Sequence, residues 1–177
     1  MADAIELLLH IGPEAKLIVC LRDLGQIYGS IEAQHQRTIP VDSIDHLADF
    51  DRFGRADMLF AKDKAIGSPL ISLYAVPDLP KRVQERLYFL RFEDLMERPA
   101  TSMSHLYAWL GLAEFEINPD KLEVSLRESD SHYHMKYAHQ QAERIFKPKR
   151  HELPPRIQAQ IENAYSWFYQ TYYPQKG

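Results

Sequence analysis

The feature that most constrains the fold of this chain is a short apolar run, Leu-Ile-Val-Cys-Leu, that ends at Arg22 and Asp23. Residues 16–21 therefore predict a β-strand, and strands that are apolar at every position are typical of parallel sheets buried on both faces. On this interpretation Cys20 is a small, buried hydrophobic residue. A helix-like pattern over residues 24–36 follows directly. This order of strand and helix predicts an α/β layer with parallel strands.

A second strand and several helices are predicted further along the chain. Residues 87–92, Leu-Tyr-Phe-Leu-Arg-Phe, are rich in aromatic residues and bounded by charge, which indicates a strand of the same sheet. Residues 99–110 predict a helix, because Pro99 suits its first position and Gly111 the position after its end. The last predicted helix opens at Pro154-Pro155, and its apolar stripe consists of Ile157, Ile161, Tyr165, Phe168 and Tyr172. Shorter helices are predicted at residues 5–11, 44–50, 70–75 and, weakly, 120–126, with an irregular stretch through Gly54 and residues 62–64.

Composition predicts one folded domain over residues 1–177, because the hydrophobic and charged fractions, 45% and 26%, are ordinary for globular proteins. A formal net charge of -4 argues against a general nucleic-acid-binding protein, which needs a basic excess. The single cysteine excludes an internal disulfide and a cysteine-rich zinc site. No apolar run approaches the roughly 18 residues that cross a membrane. The acidic start, Met-Ala-Asp, differs from a signal peptide, so a cytoplasmic protein is expected.

Polar residues that suit phosphate binding follow the first strand. In open α/β sheets, ligands gather outside the carboxyl ends of the strands, where helix N-termini also point. Arg22 supplies a charged, planar fork suited to phosphate oxygens, and the hydroxyl of Ser30, eight residues later, can add a hydrogen bond. A simpler interpretation is a local ion pair between Arg22 and Asp23.

This segment resembles the 3′-phosphate-binding segment of sulfotransferases that use phosphoadenosine phosphosulfate (PAPS). In that family a strand ends in Arg, usually followed by Asp-Pro or Asn-Pro, and a Ser stands eight residues beyond the Arg. This chain has Arg22 and Ser30 at that spacing, with Leu24 in place of the usual Pro. The resemblance implies that Arg22 and Ser30 bind the 3′-phosphate of PAPS. It also implies metal-free transfer of a sulfuryl group to a hydroxyl or amine acceptor, which leaves adenosine 3′,5′-bisphosphate as product.

Two later segments are similar to the same family. Residues 90–95, Leu-Arg-Phe-Glu-Asp-Leu, with Arg98-Pro99 and a helix ending Trp-Leu-Gly-Leu at residues 109–112, resemble the family's second landmark. That landmark is a strand running into Arg-Tyr-Glu-Asp-Leu, followed by a helix that ends in Phe-Leu-Gly-Leu. The tail, residues 132–169, resembles bacterial members with a histidine-bearing loop and an aromatic last helix. The implied fold is a P-loop NTPase-like three-layer α/β/α arrangement with a mostly parallel sheet, truncated at the N-terminus.

Three other groups of residues allow more than one interpretation. Glu93 and Asp94 could be paired catalytic carboxylates, but adjacent side chains at a strand-to-loop junction tend to diverge. We therefore expect them to anchor the next helix and to balance Arg22 or Arg91. A histidine group lacks a carboxylate or thiol partner at fixed spacing, which favours a loop lining the cofactor or acceptor cleft over a metal site. A basic group is either a solvated surface loop or an extra contact with cofactor phosphates. The histidines are His132, His134 and His139, and the basic residues are Arg144, Lys147, Lys149 and Arg150.

The family's phosphosulfate-binding loop matches no part of this sequence, which contains no Gly-x-x-x-x-Gly-Lys-Ser/Thr pattern. The family's usual general base lies upstream of the matched region, so the catalytic residues, and whether this chain alone is active, stay open. We expect a truncated gene rather than a loop that is lost or supplied by a partner, and exposed sheet edges that favour self-association into a homo-oligomer. Alternatives to a sulfotransferase are a P-loop-like small-molecule kinase or nucleotide-binding protein, and a non-catalytic helical interaction module.

Overall fold

The computed structural model describes residues 10, 12, 14–38, 49–118, 120–121 and 150–174. In chain order the elements are β1 (Leu17–Leu21), α1 (Leu24–Thr38), α2 (Arg52–Leu59), α3 (Gly67–Tyr74), a 3-10 turn (Val76–Asp78), α4 (Lys81–Gln84), β2 (Leu87–Arg91), α5 (Phe92–Glu97), α6 (Pro99–Leu110), α7 (Pro155–Ala164) and α8 (Ser166–Tyr172). The fold is therefore mixed α/β, with mostly helices and a small parallel sheet. The described residues divide into two compact units: a sheet unit, up to residue 22 and 77–121, and a helical unit, 23–76 and 150–174.

The sheet unit is built on two parallel strands, as the sequence predicts. β1 pairs with β2 in a register that sets Leu17 opposite Leu87 and Leu21 opposite Arg91. Because parallel strands end at the same edge of a sheet, Arg22 and Arg91 both lie at its carboxyl edge. The apolar residues Leu21, Val83, Leu87 and Leu106 are buried in this unit.

Burial along β1 differs from the prediction. The prediction that both faces of the strand are buried is wrong: Ile18 is 43% exposed, and Cys20 is exposed rather than buried. Alternate residues of a strand point to opposite faces, so Ile18 and Cys20 mark an exposed side of β1, while Leu21 is buried on the other side. An apolar run specifies a strand, but whether a second layer covers it depends on contacts far along the chain.

Helix α6 follows the sequence prediction closely, whereas Phe92, predicted as the last strand residue, instead begins helix α5 and is followed there by Glu93 and Asp94. Helix α6 spans Pro99–Leu110, with Pro99 in its first turn, and Gly111 ends it in the left-handed conformation, with φ of 74°. Glycine suits this position because it has no side chain to oppose a positive φ. Trp109, near the end of α6, accepts a hydrogen bond at its backbone oxygen from Lys16 Nζ at 2.5 Å and contacts the Tyr88 ring at 5.2 Å. These contacts hold α6 against β2 and against the residue that precedes β1.

The helical unit contains α1–α3, α7 and α8. Helix α1 covers the predicted residues 24–36, and α3 covers most of the predicted helix at residues 70–75. The irregular stretch through Gly54 is instead helix α2, whose first turn is capped by Asp51: its Oδ1 accepts from Gly54 N at 2.7 Å. The largest side chains that are almost fully buried in this unit are Tyr28, Leu59, Ile157 and Phe168.

The last predicted helix is divided into α7 and α8. Tyr165 leaves the helical conformation, with φ of -119° and ψ of 32°, and stacks on Phe60 at 5.1 Å between ring centroids. The apolar stripe is otherwise confirmed, since Ile157, Ile161, Phe168 and Tyr172 are buried. The apolar stripe continues past the break at Tyr165, because the buried residues of α8 continue the apolar side of α7.

Most of three predicted helices falls outside the described residues: the helices at residues 5–11 and 44–50 and the weak helix at 120–126. In the part of the chain that the structure does describe, no helix is both long enough and apolar enough to cross a membrane.

Candidate anion-binding site

Arg22 lies at the carboxyl edge of the sheet, directly after β1, and is half-buried. Its Cζ atom lies 4.7 Å from the centre of the Phe92 ring, so the guanidinium rests on an aromatic face. Within the described residues, Arg22 makes no ion pair with a carboxylate. Its charge is therefore available for an anion on this side of the sheet.

The other arginine at this edge, Arg91, is already neutralised. Its Nε donates to Asp94 Oδ2 at 2.5 Å, and Arg98 Nη2 donates to the other oxygen, Oδ1, at 3.1 Å. The Ser102 hydroxyl also donates to the backbone oxygen of Asp94 at 3.0 Å, which ties α6 to α5. Asp94 thus has the anchoring contacts that the sequence predicts, and its partner is Arg91 rather than Arg22.

The helical unit begins with Asp23, which is buried and caps α1. Its Oδ1 accepts a hydrogen bond from Gln26 N at 2.9 Å, and its backbone oxygen accepts from Ile27 N. A carboxylate here satisfies an N–H group of the first turn and complements the positive end of the helix dipole. The Gln26 N–H is consequently not available to an added anion.

Ser30 lies on α1, half-buried, and its hydroxyl has no hydrogen-bond partner among the described residues. Close contacts between α1 and His151 fix the position of this helix. A Cβ atom at Gly29 would lie 2.5 Å from Cβ of His151, so only glycine allows this approach. The Gln26 side chain adds two hydrogen bonds with the His151 backbone, accepting from its nitrogen at 2.8 Å and donating to its oxygen at 3.1 Å.

A buried ion pair holds α1 to α2. Glu32, only 2% exposed, accepts two hydrogen bonds from Arg55: Nε to Oε2 at 2.8 Å and Nη2 to Oε1 at 2.5 Å. Burial by itself would raise the pKa of Glu32, but the Arg55 guanidinium, with help from Gln36 and Arg52, outweighs burial and lowers it. Burial and the nearby Glu32 charge raise the pKa of Tyr28 to about 12, so its hydroxyl stays protonated and donates to the Arg52 backbone oxygen at 2.8 Å.

Sequence reasoning missed the Glu32–Arg55 pair and the Phe92 ring. One signal for the pair was present: Glu32 stands four residues after Tyr28, on the same face of α1, so an acidic group shares a face with a core residue. A buried carboxylate on such a face requires a cation, although the pattern does not say which one. Phe92 had no comparable signal.

The two predicted phosphate ligands belong to different units, Arg22 to the sheet unit and Ser30 to the helical unit, so their joint site stays a prediction. The predicted histidine loop and three of the four residues of the basic group lie outside the described residues; the fourth, Arg150, is exposed. No cluster of three or more histidine, cysteine, aspartate or glutamate residues suited to a metal ion occurs within the described ranges.

No protein-family model matches the chain, and no curated protein matches it significantly. The residues at the carboxyl edge of the sheet therefore carry the functional proposal.

Proposed function

We propose that this chain is a PAPS-dependent sulfotransferase-like protein in which Arg22 and Ser30 bind the 3′-phosphate of the nucleotide. The observation that carries the proposal is the position of Arg22 and its lack of a carboxylate partner among the described residues. Its half-buried guanidinium lies on the Phe92 ring at the carboxyl edge of a parallel sheet, with no carboxylate partner in the described residues. Together with the resemblance of residues 16–30 and 90–112 to this family, it favours a phosphate ligand over a structural ion pair.

The position of Arg22 suits this role. Ligands of open α/β sheets gather outside the carboxyl ends of the strands, and an arginine there can offer two parallel N–H groups to a phosphate. Ser30 would add a single neutral donor. The proposed fold is the P-loop NTPase-like three-layer type, of which β1, β2 and the helix after each strand would form a part.

The proposed reaction moves a sulfuryl group from PAPS to a hydroxyl or amine. A new bond forms between the acceptor oxygen or nitrogen and sulfur, the bond from sulfur to the bridging phosphate oxygen breaks, and the acceptor proton passes to a base. The released nucleotide is adenosine 3′,5′-bisphosphate. We assign Arg22 and Ser30 a binding role only, and the catalytic groups stay unassigned.

The test of this proposal is nucleotide selectivity. Adenosine 3′,5′-bisphosphate is expected to bind the chain at least about tenfold more tightly than adenosine 5′-monophosphate, because charge-assisted hydrogen bonds to the 3′-phosphate are worth roughly 1.5–3 kcal/mol. Isothermal titration calorimetry of both nucleotides measures the ratio.

Adenosine 2′,5′-bisphosphate is the matched control, since it carries the same groups with one phosphate moved by one carbon. It is expected to bind no better than adenosine 5′-monophosphate. Equal affinity for the 3′,5′- and 2′,5′-bisphosphates would contradict a dedicated 3′-phosphate site. Preference for magnesium ATP over all three nucleotides would favour a small-molecule kinase instead.

A further inference from the structure

Phe92 lies beside Arg22 because of the way the two strands pair. Leu21 is opposite Arg91 in the parallel register, so the residues that follow, Arg22 and Phe92, stand one step beyond the same end of the sheet. The Arg22 Cζ atom is 4.7 Å from the ring centre, and both residues are half-buried. The contact therefore belongs to the carboxyl edge of the sheet and not to either segment alone.

We propose that Phe92 is a positioning residue for Arg22. Its ring packs against the face of the guanidinium, so that the N–H groups at the guanidinium edge are directed at the 3′-phosphate. This inference rests on the proposed function and deepens it. The ring attracts the cation through its negative face, while phosphate oxygens accept hydrogen bonds in the guanidinium plane. The two interactions use different parts of the same group, so both can be made at once.

The alternative way to order an arginine is visible at Arg91. Asp94 holds that guanidinium through a hydrogen bond at 2.5 Å, but the carboxylate also neutralises its charge and occupies a donor. An aromatic ring also restricts the many rotamers of the long arginine side chain, but it neither offsets the charge nor occupies a hydrogen-bond donor. Because the side chain is already restricted, less conformational entropy is lost when the phosphate binds. Phe92 therefore orders Arg22 without offsetting its charge, whereas a carboxylate in place of the ring would make Arg22 a structural residue.

The test is to remove the ring and to restore it. Phe92→Leu is expected to weaken binding of adenosine 3′,5′-bisphosphate about fivefold, the effect of a cation–π contact at a partly exposed site, and to leave adenosine 5′-monophosphate binding unchanged. Phe92→Tyr keeps the ring and is expected to restore the native affinity. Phe92→Met is a second variant without a ring, should Phe92→Leu fold poorly. Calorimetry measures the affinities, and thermal unfolding reports the fold.

A double-mutant cycle separates positioning from a merely structural role. Arg22→Ala removes the cation on which the ring acts, so in that background the further change Phe92→Leu is expected to alter bisphosphate affinity less than twofold. A fivefold loss in that background, or an equal loss for both nucleotides, would overturn the inference. The inference would also be overturned if Phe92→Leu and Phe92→Met both kept the preference of the native chain for adenosine 3′,5′-bisphosphate over adenosine 5′-monophosphate. A native chain with no such preference overturns the proposed function and the inference together.

Discussion

Replacing Glu32 with alanine is expected to lower the free energy of unfolding by about 3–5 kcal/mol, since it leaves a buried arginine without its counter-ion. Glu32 is 2% exposed, and Arg55, which donates two hydrogen bonds to it, is 12% exposed. Without the carboxylate, Arg55 keeps only its bond to the Phe50 backbone oxygen among the contacts described, and Arg52 loses a nearby charge. Urea or thermal denaturation followed by circular dichroism measures the change.

Glu152→Ala is the matched control, because Glu152 is exposed in the same unit and forms no ion pair in the described residues. It is expected to change the free energy of unfolding by no more than about 0.5 kcal/mol. A loss below about 1 kcal/mol for Glu32→Ala would show that the pair is not a main tie between α1 and α2.

The same pair predicts an acid dependence of stability. The pKa of Glu32 is lowered in the folded chain, so its contribution is fully present above the unfolded value of about 4.3 and is lost as pH falls through the folded value. Glu32→Gln cannot titrate at this position. The stability difference between the native chain and Glu32→Gln is therefore expected to shrink as pH decreases below about 4.3, and parallel curves of stability against pH would contradict the assignment.

Removing the charge of Arg22 is expected to have the largest effect on nucleotide binding. Arg22→Ala should weaken binding of adenosine 3′,5′-bisphosphate by about 2–3 kcal/mol, or roughly 30- to 150-fold, because hydrogen bonds from charged groups are the stronger class. Ser30→Ala removes one neutral donor and should cost about 1 kcal/mol, or roughly fivefold. Calorimetry with this nucleotide measures both losses.

Arg82→Ala provides the control for net charge, since Arg82 is exposed on α4. It is expected to change the affinity less than twofold, as one surface charge away from the ligand acts only through a screened field. An unchanged affinity for adenosine 3′,5′-bisphosphate in Arg22→Ala would contradict the proposed phosphate site, even though the parallel strands are present. A larger loss for Ser30→Ala than for Arg22→Ala would reverse the assigned roles.

Several elements of this protein were predictable because their signals are local. The apolar run of β1, the aromatic run of β2 and the Pro99-to-Gly111 boundaries of α6 each depend on residues within a few positions of one another. Parallel pairing followed from the order of strand and helix along the chain. The place of Arg22, at the end of a strand and before a helix, was predictable for the same reason.

Helix α2 shows where prediction from neighbouring residues fails. Gly54 and the charged residues around it suggested an irregular stretch, since glycine is a poor helix former. Asp51 nevertheless caps the helix, and burial of Ala56 and Leu59 stabilises it. An amphipathic helix of this length gains most of its stability from packing of its apolar face, which its own residues do not report.

The sequence by itself determined the two strands, both boundaries of α6, the starts of α1 and α7, and the position of a candidate phosphate ligand. Only the tertiary structure decided which groups meet. Arg22 and Phe92 are brought together by strand register, and Glu32 and Arg55 by helix packing. Cys20 is exposed on the side of β1 that it shares with Ile18, whereas Leu21 is buried on the other side. Caps and periodicity act between neighbours in the chain, whereas burial and charge pairing arise only when distant segments close on one another, so no short stretch of sequence encodes them.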